Sequence, residues 1–448
     1  MERVNEGTLS QERLSYAITS EKQRRFMENV IAIILFYAMI NSMAACLFEF
    51  NAQLARVARY GLYIIESALI GYALLLSLQR IPRMIIAAYC ATAAIFLLTV
   101  CFYPANRFVI LEYTKHMFVF CIPCLFLPSV IGSKSRLLGT LTKWSYPMII
   151  IGILYASLAQ TTSTYEMWFG YQLLVPTMLM SRKIIKARHR WFDYLFFIVG
   201  LYLITVVGSR GPLLIVGVYL VVVFVMRIRE CKKIPVNANL KDYLKNEKTY
   251  VIMSVLLLFG LFILIIGIVW IKPISNAIYS ALAQSGIESR TLRVLSERGL
   301  LFLSGRGEIY EEAIKAIGNR PWLGYGIGGD CVYIGSIVYG YPPETSIGTY
   351  PHNLVLELLM QYGIPAGFFI LSVFIAITKR GIYAVKKEST DQKDIYYVFL
   401  TIAFVSLLFS GTYLNSKYLW MLFGLAISFC RTHRSRAIGT NDAAQGNC

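Results

Sequence analysis

Long apolar runs separated by short polar segments recur from one end of this chain to the other. Most of them approach the roughly 20 residues that a helix needs to cross a bilayer core. Lipid offers the backbone no hydrogen-bond partners, and barrel strands would alternate in polarity, so the runs predict helices. About twelve runs of this kind are present, at residues 29–48, 60–79, 84–102, 110–131, 145–160, 168–180, 191–208, 211–226, 250–271, 353–378, 395–412 and 417–430.

The composition agrees with an all-α, polytopic membrane protein. Hydrophobic residues make up 57% of the chain and charged residues 15%, which excludes an ordinary soluble protein. Aromatic residues reach 14%, and many Tyr and Trp lie near the ends of the predicted spans, where interfacial anchors are found.

The net charge of +18 is distributed as a topology signal. If the N-terminus is cytoplasmic, the segments predicted to face the cytoplasm hold 30 of the 43 Lys and Arg residues. The predicted order is a cytoplasmic segment 1–28, nine spans within 29–271, an external loop 272–352, three spans within 353–430 and a cytoplasmic tail 431–448. The basic surplus then attracts anionic membrane lipids, and nucleic acid is not an expected partner.

The external loop is the longest polar segment between spans. Within it, Glu308 to Ile317 predicts an amphipathic helix whose apolar face comprises Ile309, Tyr310, Ala313, Ile314 and Ile317. Pro321 follows as a stop signal, and the glycine-rich stretch 324–329 predicts a turn. A second helix is expected to begin near His352, at the outer face of the membrane.

Three polar residues lie at external positions beside apolar spans. Arg210 occupies a Gly-Ser-Arg-Gly-Pro turn, Arg306 stands between two glycines, and His352 lies where the loop enters the membrane. Two arginines and glycine backbone amides suit a diphosphate, and a histidine of near-neutral pKa can take a proton from a sugar hydroxyl. Each residue also has an ordinary structural explanation: a solvated charge for Arg210, pairing with nearby glutamates for Arg306, and packing for His352.

The order of motifs resembles the O-antigen ligase and polymerase superfamily. Gly305-Arg306-Gly307 is followed by Pro321-Trp322-Leu323-Gly324-Tyr325-Gly326, which fits the family's P-x-x-G-x-G turn. Pro351-His352-Asn353 then resembles the H-N pair that opens a helix ending in a Gly-x-x-Gly step. Ser209-Arg210-Gly211 resembles the family's other external arginine. One departure is Gln361, where many relatives carry an acidic residue.

The resemblance implies a metal-independent membrane glycosyltransferase that uses a polyprenyl-diphosphate-linked glycan and needs no cofactor. Arg210 and Arg306 would stabilise the diphosphate, and His352 would deprotonate or orient the acceptor hydroxyl. We also expect four residues to bind substrate: Arg298, Asn353, Glu357 and Tyr325. Glu357 has the alternative of orienting His352 or the helix entry.

Several activities remain open at this point. A polymerase joins one lipid-linked repeat to another, whereas a ligase transfers the finished glycan to a lipid A core or a protein. We favour the polymerase. A flippase for the same lipid-linked sugars is the alternative from another class, although the large asymmetric loop is unlike transporter repeats. Further expected partners are membrane lipids and a chain-length regulator or flippase of the same pathway. The expected location is the bacterial inner membrane, with the site facing outward.

Overall fold

The computed structural model describes residues 21–48, 50–77, 83–162, 167–185, 190–207, 210–231, 275–285 and 306–445, with residues 273, 293 and 296. Within these ranges every regular element is helical, which confirms the all-α prediction. The helices longer than eight residues are Glu21–Leu47, Ala52–Ser77, Arg83–Phe102, Arg107–His116, Ile122–Val130, Lys134–Thr162, Leu174–Ile185, Trp191–Val207, Arg210–Cys231, Arg306–Asn319, Gly329–Tyr339, Leu354–Val385, Thr390–Phe409 and Lys417–Gln445.

Six helical segments are long and apolar enough to cross a bilayer, so the chain is a membrane protein by length and composition. The predicted span at 250–271 lies outside the described residues. The number twelve therefore stays a prediction. The six segments are Glu21–Leu47, Ala52–Ser77, Pro104–Val130, Lys134–Leu158, Leu354–Val385 and Thr390–Phe409, and shorter apolar helices cover Tyr89–Phe102, Trp191–Thr205 and Gly211–Met226.

The chain divides into two compact units. The first comprises residues 1–37, 51–143 and 304–448, and the second comprises residues 38–50 and 144–303. In the first unit, the C-terminal helix Lys417–Gln445 packs on Ile122–Val130 and on Leu354–Val385. Gly424 permits this packing, since a Cβ there would lie 2.5 Å from the carbonyl oxygen of Leu125.

The second unit contains a buried ion pair at one end of neighbouring helices. Asp193 is fully buried and accepts hydrogen bonds from Lys183 Nζ at 3.0 Å, from the Tyr146 hydroxyl and from the backbone N–H of Arg190 at 2.8 Å. A buried carboxylate is tolerated only when it is paired and hydrogen-bonded in this way. These contacts fix the start of the helix Trp191–Val207.

Two loop helices form a small core outside the long spans. The first loop helix, Arg306–Asn319, and the second loop helix, Gly329–Tyr339, pack with the start of Leu354–Val385. The prediction of the first helix is confirmed, but its apolar face was partly wrong because Ile314 is 61% exposed. The second loop helix was not predicted. The buried residues of this core are Ile309, Ala313, Ala316, Ile334 and Met360.

The helix Leu354–Val385 is broken at Gly363, which has φ 74° and ψ 175°. In a straight helix, the carbonyl of Met360 would accept from Ile364, and that of Gln361 would accept from residue 365, which is proline and has no N–H. Here the turn 321–326 supplies the missing partners. Tyr325 N–H donates to Met360 at 2.8 Å and Gly326 N–H to Gln361 at 2.9 Å, while Ile364 N–H donates to Pro321 at 2.6 Å.

Glycine is required at both sides of this exchange. Gly324 has φ 65°, and a Cβ there would lie 2.5 Å from the carbonyl oxygen of Met360. A Cβ at Gly363 would lie 2.5 Å from the backbone carbon and oxygen of Trp322. The buried side chain of Asn106 holds the turn from its other side, donating to the carbonyls of Tyr325 at 2.8 Å and Ile327 at 3.2 Å. The kink and the turn therefore form one unit.

Replacing either glycine by alanine tests this close packing. Gly324→Ala and Gly363→Ala combine a left-handed φ with a backbone clash, so we expect a loss of roughly 3–5 kcal/mol of stability. Gly340→Ala is the matched control, because Gly340 has φ 67° and nothing within 4 Å of an added Cβ. It should lose only about 1–2 kcal/mol. Thermal unfolding in detergent measures the stability of the three variants. Equal losses in all of them would show that the close backbone packing of the turn against the kink contributes nothing.

Candidate functional site

His352 stands at the entry to the kinked helix Leu354–Val385 in an unusual backbone conformation. Its φ is 54°, and it is the only residue other than glycine with positive φ in the described part of the chain. The left-handed region costs a non-glycine residue about 1–3 kcal/mol, and such outliers cluster at functional sites. The next residue, Asn353, caps the helix: its Oδ1 accepts from the N–H groups of Val355 at 3.0 Å and Leu356 at 3.3 Å.

The imidazole ring is held between an aromatic ring and a backbone carbonyl. The rings of His352 and Tyr350 have centroids 4.4 Å apart, and the Tyr350 hydroxyl donates to the Ser410 carbonyl at 2.8 Å. His352 also makes a hydrogen bond to Ser410, which favours the protonated ring. Its Nδ1 is buried and has no hydrogen-bond partner among the described residues. One ring nitrogen therefore has an unused hydrogen-bonding position in the described structure.

Burial dominates the titration of this ring and lowers the pKa of His352 to about 4, with the positive charge of Arg306 acting in the same direction. The histidine is therefore neutral at pH 7. Arg306 opens the first loop helix, so its charge adds to the positive end of the helix dipole. The structure thus brings together Arg306 and His352, two of the three predicted catalytic residues.

Pairing with the nearby glutamates does not account for Arg306. Glu311 and Glu312 instead bind Lys315, at 2.9 Å and 2.8 Å. Within residues 306–445 and the other described ranges, Arg306 has no ion pair. An unpaired cation beside helix N–H groups is suited to an anion.

Behind His352 lies a buried polar network that joins the second loop helix, the kinked helix and the segment 410–416. Asp330 is fully buried, and its Oδ1 accepts from Gln361 Nε2 at 2.7 Å. The Tyr413 hydroxyl donates to Gln361 Oε1 at 2.6 Å and lies 2.9 Å from the Tyr362 hydroxyl. Burial raises the pKa of Asp330 to about 6.

The amide at position 361 explains the departure from the acidic residue of many relatives. Its nitrogen donates to the carboxyl of Asp330 while its oxygen accepts from Tyr413, which a carboxylate cannot do. An amide at position 361 therefore supplies the hydrogen-bond donor that the buried carboxyl group of Asp330 requires.

Glu357 is fully buried one turn beyond Asn353. It accepts a hydrogen bond from the Thr412 hydroxyl, and the backbone N–H of Tyr413 also donates to it. Its Oε2 finds no partner among the residues that the structure describes. The same 410–416 segment thus contacts both Glu357 and His352, which supports the interpretation that Glu357 orients the helix entry.

The other predicted substrate-binding residues occupy different settings. Tyr325 packs in the loop core, with its ring centroid 5.1 Å from that of Tyr333 and the guanidinium of Arg320 4.7 Å above it. The side-chain Oδ1 of Asn353 caps the helix Leu354–Val385. Arg210 begins the helix Arg210–Cys231 in the second unit, and only its backbone is described. Arg298 lies outside the described residues. Substrate binding by Tyr325, Asn353, Arg298 and Glu357 stays a prediction, as does the catalytic role of Arg210.

Sequence reasoning missed several residues that support the site. Asp330, Thr412 and Tyr413 are distant in sequence from the residues they contact, and the local pattern did not indicate these pairings. Tyr350 lies only two residues before His352, but its hydroxyl donates to the distant Ser410 carbonyl, a contact that the sequence also did not indicate. One usable signal was the acidic residue Asp330 directly after the glycine-rich turn, in the first turn of a helix. Among the described residues, no group of three His, Cys, Asp or Glu could hold a metal ion.

A protein-family model matches part of this chain. Residues 195–371 match the family model described as O-antigen ligase, a range that includes Arg306 and His352. No curated protein matches the chain. The family match confirms the resemblance drawn from the motifs: residues 195–371 of this membrane protein are similar to the O-antigen ligase family, which supports the O-antigen polymerase and ligase superfamily. Its function is of the O-antigen ligase or polymerase type.

Removing the charge at position 306 tests the link between arginine and histidine. Because Arg306 lowers the pKa of His352, Arg306→Gln should raise that pKa from about 4 towards the ordinary value of 6.5. NMR titration of isotope-labelled histidine measures it, with His352→Asn identifying the resonance among the four histidines. Lys315→Gln on the same helix is the control and should leave the titration unchanged. If the His352 titration curve were the same in Arg306→Gln as in the wild type, Arg306 would have no electrostatic effect on His352.

Gln361→Glu tests the buried network. The substitution removes the donor to Asp330 and sets two carboxyl groups together, so we expect a loss of about 1–3 kcal/mol at pH 8. Crowded, buried carboxyls have raised pKa values in the folded state, and their cost disappears as protons bind. The loss of thermal stability should therefore be smaller at pH 5 than at pH 8. A loss independent of pH would contradict this explanation.

Proposed function

We propose that this protein is a glycosyltransferase that polymerises polyprenyl-diphosphate-linked oligosaccharide repeats into O-antigen or capsular polysaccharide on the outer face of the inner membrane. The observation that carries the proposal is the placement of a neutral histidine within the electrostatic field of Arg306. A sugar diphosphate already has a good leaving group. The reaction then needs a base for the acceptor and positive charge for the departing diphosphate.

In the proposed reaction, His352 accepts the proton of the acceptor hydroxyl as its oxygen bonds to the anomeric carbon of the donor. The bond between that carbon and the diphosphate oxygen breaks on the opposite side, which inverts the anomeric configuration. Polyprenyl diphosphate leaves with the bonding electrons, and Arg306 stabilises its negative charge. For Arg210, the diphosphate-binding role rests on the family resemblance alone. His352 afterwards releases its proton to water.

Bound diphosphate also improves the base. A histidine whose pKa is about 4 is a weak proton acceptor, and the nearby cation is one cause. Two phosphates beside Arg306 would neutralise that cation and raise the pKa of His352 towards the working pH. The donor would thus strengthen the base that deprotonates the acceptor hydroxyl, so that the acceptor attacks only when the donor is bound.

Removing the imidazole tests the proposal. We expect His352→Ala to abolish the ladder of glycan multiples formed by purified protein in lipid with a lipid-linked repeat as its single substrate. Separation of the glycans on a gel measures the ladder. His433→Ala is the control, because His433 lies on the C-terminal helix Lys417–Gln445 in the tail predicted to face the cytoplasm, and it should retain the wild-type ladder.

Two other outcomes would replace the polymerase. If the wild-type protein makes no ladder but transfers glycan once a lipid A core or protein acceptor is added, the protein is a ligase. If it forms neither product and moves the lipid-linked sugar across the bilayer, it is a flippase. A full ladder with His352→Ala would remove His352 from the mechanism in every case.

A further inference from the structure

An exposed apolar pair sits on the turn that braces the kinked helix. Trp322 is 75% exposed and Leu323 is 78% exposed, although the turn between Pro321 and Gly326 is held rigidly by backbone hydrogen bonds. Two large apolar side chains fixed in full exposure are unfavourable in water. Nothing in the core of the loop helices needs them, since that core is formed by other residues.

The side chains of the kinked helix pass from covered to exposed at the point where this turn contacts it. From Leu354 to Gly363 no side chain is exposed, because the loop helices and neighbouring segments cover the helix. Beyond the kink the surface becomes apolar and open: Ile364 is 40% exposed, Phe368 52% and Phe369 68%. Such a surface is characteristic of a helix that faces lipid.

The length of the second part agrees with this division. The 22 residues from Ile364 to Val385 extend about 33 Å, close to the roughly 30 Å of a bilayer core. The exposed Lys379 and Arg380 fall in the last two turns, where long basic side chains reach the far interface. The whole helix Leu354–Val385 is longer than that core requires. Its first part, from Leu354 to Tyr362, then belongs with the loop helices.

We propose that the Trp322–Leu323 turn inserts into the membrane interface, next to the apolar surface that begins at Ile364. The partner is the lipid of the leaflet on the loop side. Tryptophan suits this depth because its ring is apolar and its indole N–H remains polar. Arg320, two residues earlier and exposed, is placed to meet lipid phosphate. The turn thereby sets the depth of the kink, independently of the proposed activity.

Quenching of tryptophan fluorescence tests the insertion. The full-length protein and Trp322→Phe are placed in vesicles of phosphatidylcholine with or without bromine on the acyl chains. The chain has six tryptophans, and the difference between the two proteins isolates Trp322. We expect this difference signal to be quenched by brominated lipid and shielded from aqueous acrylamide.

Two further variants complete the test. Leu323→Trp adds a reporter without removing one, and its added signal should behave in the same way. Tyr339→Trp is the matched control, since Tyr339 is 45% exposed on the second loop helix, away from the kink. Its added signal should be quenched by acrylamide and insensitive to bromine. If the signals from positions 322 and 323 followed the control, the turn would lie in water, or would stack on sugar, and the proposal would be wrong.

Discussion

The exchange of backbone hydrogen bonds at Gly363 determines how the two loop helices are arranged against the helix Leu354–Val385. Pro365 and the conformation of Gly363 free two helix carbonyls, and the turn 321–326 satisfies them with its own N–H groups. An unsatisfied buried carbonyl costs about 1–3 kcal/mol. Neither the kink nor the turn is therefore stable without the other. Their union fixes the loop helices against the helix that carries His352 at its entry.

The site is supported from two directions. The kink unit holds the helix, while the 410–416 segment contacts His352 through Ser410 and Glu357 through Thr412. Gln361 links the two supports, since it makes hydrogen bonds to both Asp330 and Tyr413. Support of this kind is what a histidine with a left-handed backbone requires, because strain persists only when its surroundings hold it. The backbone strain therefore lies at His352, the residue to which we assign the proton transfer.

Much of this organisation was predictable from local sequence pattern. Apolar runs predicted the long helices, periodicity predicted the first loop helix, and the Pro-x-x-Gly-x-Gly turn, Arg306 and His352 were recognisable from their sequence context. Contacts between distant residues were not predictable: Asp330 with Gln361, or Glu357 with Thr412, follow from tertiary packing. Ile314 shows the limit of periodicity, since the loop core uses the stripe through Ile309, Ala313 and Ala316 and leaves it exposed.

The proposed mechanism requires a diphosphate to bind beside His352 and to change the protonation of its ring. The most direct measurement is the NMR titration of His352 in the presence and absence of a polyprenyl diphosphate that carries no sugar. Binding next to Arg306 should raise the pKa of His352 above its low value of about 4 in the free protein. A pKa that stays the same at saturating ligand would contradict the claim, since the anion would then lie away from the histidine.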